Sequence, residues 1–193
     1  MNIQTHTHTI ILLIGPTECG KTTFSKEVLM KQLRFQAPDK NFYSNVQYLS
    51  SDDLRQEVLG HTYDKYDQVM LEASNVAFPY LRKKLELVTT YPVSAEFVIV
   101  DTTGLAQEFR QEILTIAKQQ NYRIEAMVFD YKNREEYYAS ERSRRLISNH
   151  IQRLKREVLP SLAKENYHAI HRIQKKDFSE VQVTVVDKEE YLS

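Results

Sequence analysis

The chain has 193 residues, 41% of them hydrophobic and 27% charged, with 26 Lys and Arg balanced by 26 Asp and Glu. That is enough for one sizeable core with room for an appendage, in a composition ordinary for a soluble cytoplasmic fold, and a net charge of zero gives no bulk electrostatic sign of a nucleic-acid partner. An apolar run of about 18 residues is lacking, so no membrane span is expected; residues 1–8 lack a signal-peptide layout, and the single cysteine excludes an internal disulfide.

Thr5-His6-Thr7-His8-Thr9 alternates and reads as the outer end of a first strand that continues through the apolar run Thr9–Ile14. His6 and His8 would share a face, and two ligands without a third favour edge polarity over a metal site. The next stretch, Gly15-Pro16-Thr17-Glu18-Cys19-Gly20-Lys21-Thr22, fits the pattern G-x-x-x-x-G-K-[ST] of a phosphate-binding P-loop. Residues 21–30 leave it with helical spacing, Phe24 and Val28 inward. In such a loop the backbone N–H groups turn inward around an anion, backed by the positive end of the helix that follows. Gly15, Thr17, Cys19, Gly20, Lys21, Thr22 and Thr23 are therefore the expected contacts of ATP or another NTP. Lys21 would reach the β- and γ-phosphates and the Thr22 hydroxyl would sit on Mg2+.

A polar connector over residues 34–45 contains Pro38, and Val46–Ser50 reads as a second strand. It runs into a helix over Ser51–Leu59, with Ser50 or Ser51 as N-cap and Asp52 and Asp53 in the first turn. Asp52 and Arg55 share a helical face, although capping alone would also account for the two acids. Residues 67–90 have helical periodicity, which Pro79 should kink or restart. Residues 96–101 form a buried strand ending in Asp101, beside Thr102-Thr103-Gly104. That is the form of a Walker B element, whose carboxylate holds Mg2+ or its water. An amphipathic helix is expected over 105–120, a fourth strand over 123–130, and a polar helical stretch over 133–145. A further helix over 146–163 should end near Pro160, followed by a fifth strand over 167–173. Residues 181–186 are extended, as an edge strand or the start of something else. Residues 131–176 carry 12 Lys and Arg against 5 Asp and Glu, which is either an anion-gathering surface or a solvated basic face.

Alternating strands and helices mean an α/β fold: a parallel sheet of about five strands with helices on both faces. Residues 1–175 would form the P-loop domain and 176–193 a C-terminal extension or edge strand. Ligands of such sheets sit at the C-terminal ends of the strands, where Gly20, Asp52 and Asp101 fall.

Four elements occur in order: residues 15–23, Ser51-Asp52-Asp53-Leu54-Arg55, Val100-Asp101-Thr102-Thr103-Gly104, and Glu141-Arg142-Ser143-Arg144-Arg145. Over residues 10–173 the chain thereby resembles the 5′-kinase domain of bacterial polynucleotide kinase-phosphatases, RNA-repair enzymes of the P-loop kinase superfamily. The resemblance implies transfer of the ATP γ-phosphate to the 5′-hydroxyl end of RNA or DNA. It makes Asp52 the general base, puts Arg55 on a phosphate of the acceptor strand, and gives Arg142, Arg144 and Arg145 to a helical lid that clamps the ATP phosphates. The implied partners are a 5′-hydroxyl polynucleotide, phosphatase and ligase-like domains, and an RNA 3′-end methyltransferase, all in the cytoplasm. Two positions depart from the family. Glu18 stands where its loop, G-x-x-G-x-G-K-S-T, has Gly, and Gly104 replaces the Asn that usually follows Asp101-Thr102-Thr103. Two alternatives remain: a small-metabolite P-loop kinase, which also pairs an Asp and an Arg near the second strand, and a nucleotide-binding subunit without turnover.

Overall fold

A computed structural model describes residues 1–37, 42–64, 66–138 and 143–192. The elements run β1 (Asn2–Thr5), β2 (Thr9–Ile14), helix α1, a short hairpin of β3 (Gln36–Ala37) and β4 (Phe42–Tyr43), then β5 (Val46–Ser50) and α2 (Ser51–Leu59). Next come α3 (Gln68–Glu72), α4 (Ser74–Thr89), β6 (Phe97–Asp101), α5 (Gln107–Gln119) and β7 (Arg123–Phe129). Helix α6 is followed by β8 (Ala169–Ile173), β9 (Gln182–Val185) and α7 (Glu189–Leu192). Two of these helices widen in the middle. α1 joins Lys21–Phe24, a π segment Ser25–Leu29 and Met30–Leu33, and α6 joins Arg144–Arg153, a π segment Leu154–Val158 and Leu159–Leu162.

Every residue of β2 and β6 is buried, as unbroken apolar runs require when helices cover both faces of a sheet. The main sheet is five-stranded and parallel, in the order β5-β6-β2-β7-β8. On one face Ile10, Leu12, Val98 and Val100 pack with α4, α5 and the second half of α6 through Leu81, Ile113 and Leu154. On the other, Ile11, Leu13, Ile99 and Met127 pack with α1 and the first half of α6 through Phe24, Leu29 and Ile147. Helix α6 thus contributes to both cores.

The two ends of the chain form a second, parallel sheet, with Asn2 opposite Gln182 and Thr5 opposite Val185. Ile3, Val183 and Val185 of this sheet join the α1-side core. The Gln32 amide of α1 grips its edge, donating to Val181 O at 3.0 Å and accepting from Val183 N at 2.7 Å. The alternating stretch before β2 is therefore a corner and not a strand extension. His8 has φ 56°, Thr9 Oγ1 donates to His6 O at 2.6 Å, and Thr7 donates from N and Oγ1 to Asp187 at 3.0 and 2.8 Å. The reason is that β1 and β2 belong to different sheets.

Other boundaries also move. The helical stretch over 67–90 breaks at Ala73, and α4 runs through Pro79. Among the described residues of 133–145 a 3-10 turn, Arg134–Tyr137, precedes α6, which starts at Arg144. Helix α6 ends at Leu162, two residues past Pro160, which follows the π segment. Among the described residues no helix is long and apolar enough to cross a membrane.

Candidate active site

β2 delivers the P-loop to the C-terminal edge of the sheet, where Gly15 N donates to Thr103 O at 2.9 Å. The loop turns through two left-handed residues, Glu18 at φ 62° and Gly20 at φ 93°. The first is a conformation that favours Gly, and an L side chain there costs about 1 kcal/mol. The Glu18 carboxylate is held by hydroxyl donors, Ser143 Oγ at 2.6 Å and the Tyr66 phenol. It ties the loop to the foot of α6 and to the segment before α3. Lys21 is buried, its Nζ donating to Pro16 O at 2.6 Å and Gly15 O at 3.2 Å. The Cys19 thiol is buried and its pKa is pushed up by burial against the nearby Lys21 charge, so Cys19 serves the loop through its backbone, whose carbonyl accepts from the Tyr131 phenol.

Behind the loop stands an oxygen cluster. Asp101 Oδ2 accepts from Thr22 Oγ1 and from the Tyr48 phenol, each at 2.7 Å. Burial, reinforced by the Asp101 charge and hydrogen bond, raises the Tyr48 pKa far above its usual value, so the phenol stays a donor. After Asp101, the chain closes on itself at Gly104, with φ 59° and its N–H on Thr102 Oγ1 at 3.0 Å. A Cβ there would lie 3.0 Å from both Leu13 O and Ile14 Cγ1, so an Asn has no room at this position.

Facing the loop is the N-terminus of α2. Ser50 caps it, its Oγ accepting from Asp53 N at 3.2 Å. Arg55 Nη2 bonds Asp52 Oδ1 and Nη1 donates to Ser74 Oγ at 3.2 Å. Asp52 and Arg55 line one cavity of about 510 Å3 with Lys21, Thr22 and Asp101, walled further out by Tyr66, Leu71 and Phe78. Asp53 is not among its lining residues. Burial raises the Asp53 pKa; Lys26 opposes the rise, and Asp52 and Asp101 add to it. Of the described residues on the cavity wall, Lys21 and Arg55 are cationic, against the carboxylates of Glu18, Asp52 and Asp101.

The structure therefore brings together Gly20, Lys21, Thr22, Thr23, Asp52, Arg55 and Asp101, with Thr17 at the rim and Gly15 and Cys19 supporting from beneath. It does not bring Arg144 or Arg145 in. Arg142 lies outside the described residues. Arg144 sits over the Tyr138 ring at 4.9 Å and 3.6 Å from Glu135, and neither it nor the exposed Arg145 lines the cavity. The cause is helical phase: α6 turns Leu146 and His150, four residues apart, toward the loop. His150 Nδ1 accepts from Thr17 N at 3.3 Å. Burial, with the charges of Lys21 and Arg153, pushes its pKa down to about 4. His150, Tyr48 and the Glu18–Ser143 link were not foreseen. The available signals were the spacing of Tyr48 two residues before Ser50, on the same strand side, and the i, i+4 pair on α6.

A sequence profile described as an AAA domain (AAA_33) matches residues 10–165. No curated protein matches the chain. Among solved structures the fold is similar to that of a candidate kinase from Chloroflexus aurantiacus, at TM-score 0.57 and 10% identity, covering 92% of this chain and 91% of that one. It is also similar to a structure of the PezAT chromosomal toxin–antitoxin system of Streptococcus pneumoniae, at TM-score 0.57 and 18% identity, covering 90% of this chain and 69% of that one. At such identities these likenesses concern the fold alone, a parallel five-stranded sheet flanked by helices. With the profile spanning most of its length and its P-loop at the head of β2, the chain belongs to the AAA domain family.

Proposed function

We propose that the chain is an ATP-dependent phosphotransferase that phosphorylates a hydroxyl group of a small metabolite. The carrying observation is the single cavity in which the P-loop and the Asp52–Arg55 pair face each other. Lys21, now shared among loop carbonyls, would turn its donors to the β- and γ-phosphates and neutralise charge there. Thr22 and Asp101 would hold Mg2+. Two oxygen donors suit an ion that keeps several waters, and an Asp101 oxygen that already draws two hydroxyls is a strong acceptor. When bound, ATP supplies the phosphoryl group and Mg2+ spreads its negative charge. Asp52, aimed by Arg55, takes the proton of the acceptor hydroxyl. The hydroxyl oxygen bonds the γ-phosphorus as the bond to the β-phosphate oxygen breaks, leaving ADP.

The wall favours a small acceptor. A polynucleotide drags further phosphates past the mouth and calls for matching cations. Among the described residues two cations face three carboxylates, and Tyr66, Leu71 and Phe78 offer an apolar wall instead. The second reading, a 5′-hydroxyl polynucleotide kinase of RNA repair, is supported by the order of the four sequence elements. Transfer of the 32P γ-phosphate of ATP to a metabolite panel and to 5′-hydroxyl RNA and DNA oligonucleotides separates the two. Label in a metabolite, abolished by Lys21→Ala, is the expected result. Label confined to oligonucleotides would replace it with the second reading, and ATP binding without any transfer would leave a nucleotide-binding subunit.

A further inference from the structure

Backbone N–H groups of a P-loop are aimed at the space a phosphate fills, and a part-buried N–H needs an acceptor. At Thr17 that acceptor is a side chain from another element, the His150 ring at 3.3 Å. An Nδ1 that accepts carries no proton, so the ring is the neutral Nε2–H tautomer. The groups facing it are Lys21 from α1 and Arg153 from α6 itself, both cations. From the loop, Glu18 lines the same cavity with its carboxylate on Tyr66 and Ser143.

A phosphate oxygen is a charged and therefore stronger acceptor than an imidazole, and it would take over the Thr17 N–H. The ring would then present a lone pair toward an anion, which is repulsive. A proton on Nδ1 removes that repulsion and makes a charge-assisted hydrogen bond in its place. Burial is the first cause that keeps the ring neutral, and phosphate offsets the Lys21 charge, one of the two cations that add to it.

We propose that His150 is a positioning residue that couples phosphate binding to a proton, accepting from Thr17 N–H until a nucleotide phosphate claims that donor and then donating to the same phosphate. The inference rests on the nucleotide site of the preceding section. It places on α6 a cation that exists only when the site is filled, on a helix whose Arg144 and Arg145 do not line the cavity. The sign follows from linkage. The complex holds one proton more than the free protein, so affinity rises as pH falls. The gain is about tenfold per pH unit below the ring's bound-state value, ending where the free ring itself takes up the proton.

The test is calorimetric titration of the 193-residue chain with Mg2+ and a β,γ-imido analogue of ATP, between about pH 7 and about pH 5. Buffers of differing ionisation enthalpy count the protons taken up. The unsubstituted chain should take up close to one proton and bind about tenfold more tightly per unit over part of that range. His150→Gln can still accept from Thr17 N–H but cannot be protonated, and should bind with no such difference beyond the analogue's own titration. In the unsubstituted chain, NMR of the His150 ring should show the analogue moving its titration upward. Equal pH dependence in parent and variant, or a ring titration the analogue does not move, would overturn the role of His150 while leaving the nucleotide site intact. Failure of the analogue to bind at any pH would remove both this inference and the phosphotransferase reading.

Discussion

Asp101 receives two hydroxyls on one oxygen, and the less obvious of them, Tyr48, carries a consequence that can be measured. Tyr48→Phe keeps the ring and removes a single donor, leaving Thr22 as the remaining hydroxyl on that oxygen. Outer partners of this kind are worth about 10–100-fold in metal affinity. A Mg2+ titration of transfer by the variant should therefore saturate at correspondingly higher metal, with the thermal midpoint little changed; an unaltered metal requirement would show that Tyr48 only packs. The adjacent acids of α2 divide in the same way. Asp52 reaches the cavity with Arg55 holding it, whereas Asp53 looks toward Lys26 and Asp101. Asp52→Asn should cut transfer by about 10²–10⁴ with ATP binding retained, while Asp53→Asn transfers nearly as well as the parent. The reverse pattern in single-turnover rates would reassign the base.

Helix α1 does more than head the phosphate loop. Its Gln32 supplies both a donor and an acceptor to the edge of β9, so Gln32→Ala strands two part-buried backbone groups at a cost of about 1–3 kcal/mol. Hydrogen exchange should localise the loss. The Val183 amide should lose protection while Ile11 and Ile99 in the main sheet keep theirs, and uniform loss across both sheets would show that the two open as one. The contrast between the sheets also explains what could be read from the chain. β2, the P-loop, Ser50 as cap, α2 and β6 announce themselves through local patterns, an apolar run, a glycine spacing or a hydroxyl before two acids, and those are the parts of the site that were legible. The alternation of β9 marks a half-buried strand but says nothing of its partner, which is the other end of the chain. His150 is one polar residue on an amphipathic helix, and only the phase of α6 over the loop gives it a role. Glu18 hides its left-handed backbone because its residue type does not advertise one.

At the scale of the molecule, Arg110 and Glu165 join the end of β6's loop to the end of α6. The guanidinium donates to Glu165 at 2.7 and 3.0 Å, to Gly104 O at 2.9 Å and to Ser161 Oγ at 2.8 Å, with both side chains almost fully buried. Burial alone would raise the Glu165 pKa, but the hydrogen bonds and charge of Arg110 outweigh it and lower the pKa below the ordinary range. A depressed carboxylate stabilises the fold above its unfolded value of about 4.3, and that share is lost as pH falls through the folded value. Arg110→Ala leaves a buried carboxylate unpaired and should cost about 3–5 kcal/mol at neutral pH. Urea melts should show the gap between parent and variant narrowing as pH falls, first above about pH 4.3, where the variant's lone buried carboxyl takes up its proton, and then below it, where the parent loses its share; a gap independent of pH would assign the loss to packing. The pairing of β1 with β9 bears on how the chain is made. Asn2 meets a partner 180 residues further on, so at ribosomal speeds of about 5–20 residues per second the nascent β1 waits roughly ten to forty seconds. Throughout that interval it is an open strand edge with Ile3 uncovered, and only the arrival of β9 shields it.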